Sequence, residues 1–211
     1  MKKFWLHFLL LALCLMMVYY VQNTILIDEA YYYKVYSEKL SITQIDSIIE
    51  IQKSWGWAVG LLIPILTLFK IVLVCSCLIA GFFIIDRTAD YSVLFLASVK
   101  AEFVLLILPL SAFIWFLFFH KDYDPSELTN FSPFSILAFL DPGTVEPWLK
   151  YVVTSFNLIE VLYLSCLAYN LKELFSGKFT PALKVVAMSY GIGFTIWVLF
   201  VGFIIINVTP Q

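Results

Sequence analysis

Hydrophobic positions gather into five long runs, 4–21, 57–85, 103–119, 148–171 and 183–206, divided by polar connections. A helix needs a window of about 19 apolar residues to cross the hydrocarbon core, and each run is long enough. The pattern predicts an all-α integral membrane protein, a single polytopic domain over 1–211 with five transmembrane helices. The second run exceeds the need, and Gly60 and Pro64 near its start predict a kink or tilt that absorbs the excess. The first run follows the basic start of a signal peptide, "MKKFW", but it is too long and lacks a small-residue cleavage site, so it reads as an uncleaved span.

Three connections are too patterned for plain loops. In "KLSITQIDSIIEIQKSW", Ser41 and Gln44 form a capping-box pattern, and Ile42, Ile45, Ile48 and Ile49 recur at helical spacing. This predicts an outer amphipathic segment over about 41–54, whose isoleucine face either lies on lipid or the bundle or docks a partner protein. "DRTADYSVLFLASVKAEF" predicts an interfacial helix running into the third span through the polar trio Lys100, Ala101 and Glu102. "NFSPFSILAFLDPGTVEPWLK" predicts a short outer helix from Pro133 to Leu140, a turn at Asp141, Pro142 and Gly143, and a helix with Pro147 in its first turn.

Charge sets the threading. Lys2 and Lys3 precede the first span, Arg87 and Lys100 lie between the second and third, and Lys172, Lys178 and Lys184 between the fourth and fifth. Those segments are predicted cytoplasmic, which puts the tail "NVTPQ" outside. The alternate connections are acid-rich, with Asp28, Glu29 and Glu38 in one and Asp122, Asp124 and Glu127 in the other, although the first also holds Lys34, Lys39 and Lys53. Trp5, Trp55, Trp57, Trp115 and Trp148 fall near span ends, as interfacial rings do, while Trp197 falls mid-span.

Composition narrows the function classes. The 211 residues are 62% hydrophobic and 13% charged, half the charged fraction of soluble domains. With a net charge of -2 and no basic stripe, neither nucleic acid nor an anionic-lipid patch is expected as a partner; membrane lipid is. Cys14, Cys75, Cys77 and Cys166 all lie in apolar runs without zinc spacing, and His7 and His120 form no cluster, so no metal or cofactor is expected. No zinc-helix, nucleophile-elbow or phosphate-loop motif occurs, and the chain is read as non-enzymatic.

Two charges stand deep in spans. Lys70 lies thirteen residues past Trp57 and Glu160 ten past Lys150, about 20 and 15 Å along their helices. With the second and fourth spans running the same way, the two sit near the midplane, where pairing would offset a burial cost of about 2.5–3.5 kcal/mol per charge. Asn157 and Glu160 share a helical face, continued by Thr154 and Tyr163, so Lys70, Asn157 and Glu160 form a predicted intramembrane polar seam. In the last span, Ser189 with Gly193 and Gly191 with Thr195 are small-xxx-small pairs that fit close packing in the bundle or homodimerisation.

The order of elements resembles the YIP family, the Ypt-interacting proteins, which include many bacterial members. The resemblance runs from Leu61 to Asn207 and rests on "YSVLFLASVKAEFVLLILPL", "FSPFSILAFLD", "SFNLIEVLYLSCLAYNLKELFSGKFTPALKVV" and "SYGIGFTIWVLF". Asn157 stands near where many relatives carry aspartate, Asn170 where glycine is usual, and "IDRTAD" replaces a glycine-rich turn. The resemblance implies a five-span bundle with a cytoplasmic N-terminus and no established catalytic residues. The expected function is that of an accessory or scaffold subunit in a bacterial inner membrane, packing against other integral membrane proteins of a larger complex for export or envelope assembly. The alternative is a small transporter or channel using an intramembrane Lys70/Glu160 pair.

Overall fold

The computed structural model describes residues 2–121, 123–141 and 143–208, the side chains of residues 2 and 3 excepted. Asp122, Pro142, the side chains of Lys2 and Lys3, and the last three residues of "NVTPQ" lie outside the described residues. The chain is 83% helical, and among the described residues there is no β-strand. Four helical runs are long and apolar enough to cross a membrane, Phe4–Ile25, Ile42–Ile84, Tyr91–Phe119 and Phe179–Val208, and they make this a membrane-embedded protein.

The helices, in chain order, are α1 (Lys2–Ile25), α2 (Glu29–Tyr36), α3 (Ile42–Ile84), α4 (Tyr91–Leu105), α5 (Ile107–Ile114), α6 (Pro125–Asn130), α7 (Pro147–Ser155), α8 (Leu158–Leu171), α9 (Phe179–Val186) and α10 (Ile192–Val208). A π-helical turn at Trp115–Phe119 extends α5, and another at Ala187–Gly191 joins α9 to α10. Residues cluster into two compact units, one of Met1–Phe8, Lys70–Ile107 and Ser132–Gln211, the other of Leu9–Phe69 and Leu108–Phe131.

Two expectations change. The outer amphipathic segment and the second span are one helix, α3, which starts where the Ser41 amide donates to Gln44 Oε1 (3.0 Å) and continues through Pro64. Its isoleucine face is split: Ile45 and Ile49 are buried within their unit, whereas Ile42 is exposed. The interfacial helix before the third span runs into it as expected, within the single run Tyr91–Phe119. The 148–171 run, by contrast, is interrupted: α7 ends at Ser155, Phe156 and Asn157 are extended, and α8 begins at Leu158. Neither half reaches the length of a spanning helix, which is why four runs rather than five meet that criterion.

Two short helices carry sequence signals that periodicity misses. Asp28 caps α2 by accepting from the Tyr31 amide (2.9 Å), and Glu127 closes a box at the start of α6 by accepting from the Asp124 amide (3.2 Å), with Pro125 in the first turn. The apolar 133–140 stretch contains a 3-10 turn at Ile136–Phe139 rather than an α-helix.

In the first unit the C-terminal part of α3 turns back into α4 as an antiparallel hairpin, and α4 packs most extensively on α8. Asp86, at φ 53, terminates α3 in the left-handed region that aspartate tolerates. Beyond that turn the helices pair in register, with Cys75 Sγ 3.7 Å from Ser98 Oγ and Lys70 opposite Glu102. α8 packs on α4 and α9, and α7 packs on α10. The crossing of α3 with the α9–α10 run is close enough to need glycine: a Cβ on Gly81 would stand 2.4 Å from Ser189 Cβ, and one on Gly193 2.9 Å from Cys77 Sγ. The Ser189 and Gly193 pair of the last span is therefore engaged inside the unit, whereas Gly191 and Thr195 line a cavity.

Candidate functional site

Lys70 and Glu102 face each other across the hairpin about 20 Å from its turn, well inside the apolar helices. Lys70 Nζ donates to Glu102 Oε2 at 3.1 Å and stands 5.2 Å from the centre of the Tyr163 ring. Glu102 is buried, while the Lys70 side chain is 41% exposed, so its apolar stem skirts the surface as the ammonium turns inward. The predicted pairing of Lys70 with Glu160 is thus corrected: the hairpin register hands the lysine to Glu102, which the sequence reading left at the interface as the end of a polar trio.

Glu160 has a different partner. Its Oε1 accepts a 2.7 Å hydrogen bond from the Tyr190 hydroxyl, and the residue as a whole is only 9% exposed. Tyr190 comes from the π-helical turn, whose extra residue shifts the face that α9–α10 presents; such turns recur at functional sites. Tyr163 is wholly buried and its ring lies 5.3 Å from that of Tyr190. Lys70, Glu102, Tyr163, Glu160 and Tyr190 therefore form one electrostatic neighbourhood, holding one cationic group and two carboxyl groups. Two of its buried oxygens, Glu102 Oε1 and the Tyr163 hydroxyl, lack a hydrogen-bond partner among the described residues.

Asn157 is not on a shared helical face with Glu160; it is the joint of the broken helix. Its Oδ1 accepts from the Glu160 amide (2.9 Å), capping α8, and its Nδ2 donates to the Thr154 (2.9 Å) and Ser155 (3.3 Å) carbonyls at the end of α7. One side chain so satisfies backbone groups of both half-helices, which in hydrocarbon have no water to turn to. The 133–136 segment completes the joint: Phe134 O accepts from the Leu158 amide (2.9 Å), and Ser135 forms an isolated antiparallel bridge with Asn157. Non-helical backbone at this depth is tolerated only against protein or a cavity, and interrupted helices of this type line the binding sites of many transporters.

A cavity of about 580 Å³ opens at the break. Phe134, Phe139, Phe156 and Phe194 contribute aromatic walls, and Glu160 and Asn157 contribute polar ones. Of the predicted seam, Asn157 and Glu160 share this cavity, whereas Lys70 reaches the neighbourhood only through Glu102 and Tyr163. Glu102 was findable, since folding two apolar helices about "DRTAD" sets it opposite Lys70. Tyr190 was not, because its register depends on the π turn. Among the described residues no group of three or more His, Cys, Asp or Glu is placed to hold a metal ion. No family model, curated protein or solved structure matches the chain.

Proposed function

We propose that the chain is a YIP-like, non-enzymatic membrane protein with five crossings, threaded with its N-terminus in the cytoplasm of a bacterial cell and its C-terminus outside the inner membrane, serving as an accessory or scaffold subunit of a larger membrane complex. The fifth crossing is the interrupted α7–α8 pair, which runs antiparallel along α10: Val152 lies beside Gly202, Phe156 stacks edge-on against Phe194, and Glu160 meets Tyr190. Support for the threading comes from one end of the first unit. There Arg87 donates to Leu174 O (3.0 Å) and covers the Phe175 ring, and Phe4, next to the N-terminal lysines, stacks edge-on with Phe95 near the same turn. Basic connections gathered at one end fit the cytoplasmic side.

The observation that carries the scaffold reading is α3. At 43 residues it is about 65 Å long, roughly twice the hydrocarbon thickness, so it has some 20 residues more than one crossing needs. Ile42, Ile51 and Trp55 are exposed along its N-terminal half, within their own unit. Purification in mild detergent, with and without Ile51→Glu and Trp55→Glu, tests the reading. A reproducible membrane-protein partner lost in the double variant is expected; a protein that purifies alone in both forms would overturn it.

The broken helix favours a second reading, a small transporter or channel centred on Glu160, with the Lys70–Glu102 pair beside it. Reconstituted flux abolished by Glu160→Gln in a folded protein would select it over the scaffold.

A further inference from the structure

We propose that the cavity at the α7–α8 break binds a hydrophobic amine, with the protonated nitrogen on Glu160 and the apolar body among Phe134, Phe156, Phe194 and Leu164. The inference concerns binding alone and stands whether the protein is a scaffold or a transporter.

Three observations carry it. The cavity, about 580 Å³, lies within the range of small-molecule sites, roughly 300–1,000 Å³, and shares their make-up of apolar walls with few polar groups. Its acidic group makes no ion pair among the described residues. Glu160 Oε1 is held by a neutral tyrosine, its other oxygen makes no hydrogen bond among the described residues, and the nearby lysine is committed to Glu102. A buried carboxylate calls for a cationic or hydrogen-bonding partner, and a bare acyl chain supplies neither. Finally, Phe134, Phe156 and Phe194 line the same cavity as Glu160, and ring quadrupoles attract the same charge that the carboxylate does. A single cation on an apolar body satisfies all three; a divalent metal would need more ligands than the cavity offers.

The test uses the full chain in phosphatidylcholine nanodiscs, with dodecylamine and its uncharged counterpart dodecanol as probes and empty nanodiscs as the partition control. Saturable binding of dodecylamine, at least tenfold tighter than that of dodecanol, is expected. Glu160→Gln should erase the preference, and Thr195→Trp, which fills the cavity without touching the Glu160–Tyr190 bond, should remove saturable binding of both probes. Equal binding of the two probes, or an unchanged amine preference in a folded Thr195→Trp protein, would overturn the proposal. If Glu160→Gln does not fold, the Thr195→Trp result decides alone.

Discussion

Replacing Lys70 by methionine keeps the length of the side chain and removes its charge, which isolates the hairpin ion pair. Glu102 is 6% exposed and accepts from Lys70 Nζ at 3.1 Å, and its other oxygen has no hydrogen-bond partner among the described residues, so the substitution strands a buried carboxylate. Breaking a buried pair from one side costs about 3–5 kcal/mol, and the partly exposed lysine puts this case near the lower figure. That is about a hundredfold in the unfolding equilibrium, since 1.4 kcal/mol is tenfold. Glu102→Gln should cost less, because a neutral amide needs no counter-charge. The double variant Lys70→Met/Glu102→Gln should recover about 1–3 kcal/mol relative to the sum of the singles. The same cycle between Lys70→Met and Glu160→Gln should couple by no more than about 0.5 kcal/mol. Reversible unfolding by SDS in mixed micelles measures all four free energies. Strong coupling of Lys70 to Glu160 with none to Glu102 would refute the hairpin register and restore the pairing expected from depth alone.

At the break, Asn157→Ala should destabilise by about 2 kcal/mol or more, the loss of an N-cap plus two unsatisfied carbonyls, and amide exchange should rise selectively at the ends of α7 and α8. Gly81→Ala should cost about 1–3 kcal/mol, since the new methyl meets Ser189 Cβ rather than a flexible side-chain tip; Gly60→Ala, where the nearest atoms are 3.7 Å away, should be neutral or gain up to about 1 kcal/mol in thermal unfolding. At the start of α6, hydrogen bonds from His120 and from the Asp124 amide hold the Glu127 carboxyl below its ordinary value of 4.5. A lowered folded value means that the α6 box is fully supported above that ordinary value and weakens as pH falls through the lowered one. Exchange protection of the α6 amides, corrected for intrinsic rate, should drop in that acid range, and Glu127→Gln should flatten the profile.

Span positions were legible because hydrocarbon imposes a length and a composition on each crossing, and 4–21, 57–85, 103–119 and 183–206 all fall within helices. Helix ends were less so. Ile45 and Ile49 announce an amphipathic turn, but nothing between Lys53 and Trp57 breaks the helix, so the amphipathic and spanning parts of α3 merge. The same holds at Lys100, Ala101 and Glu102, three good helix formers whose polarity reads as a boundary yet lets α4 run on. Charge marks a surface only when the helix has no internal partner for it, and Glu102 had Lys70.

The interruption at Phe156–Asn157 was hidden for the opposite reason. No proline or glycine stands there, and "VVTSFNLIEVLYL" has the hydropathy of an unbroken span. What opens the helix is a competition: Thr154 and Ser155 hydroxyls bond back to carbonyls one turn earlier, and the Asn157 amide takes the last carbonyls of α7 while presenting a cap to α8. A continuous helix would satisfy the same backbone groups without help, so the broken form must gain elsewhere. The gain lies in contacts that only the break allows, the Phe134–Leu158 backbone bond and a first turn of α8 that aims Glu160 at Tyr190. A carboxylate that looked like an intrusion into an apolar run is therefore placed by the joint beside it, and the cavity it lines exists because α7 stops five residues earlier, at Ser155.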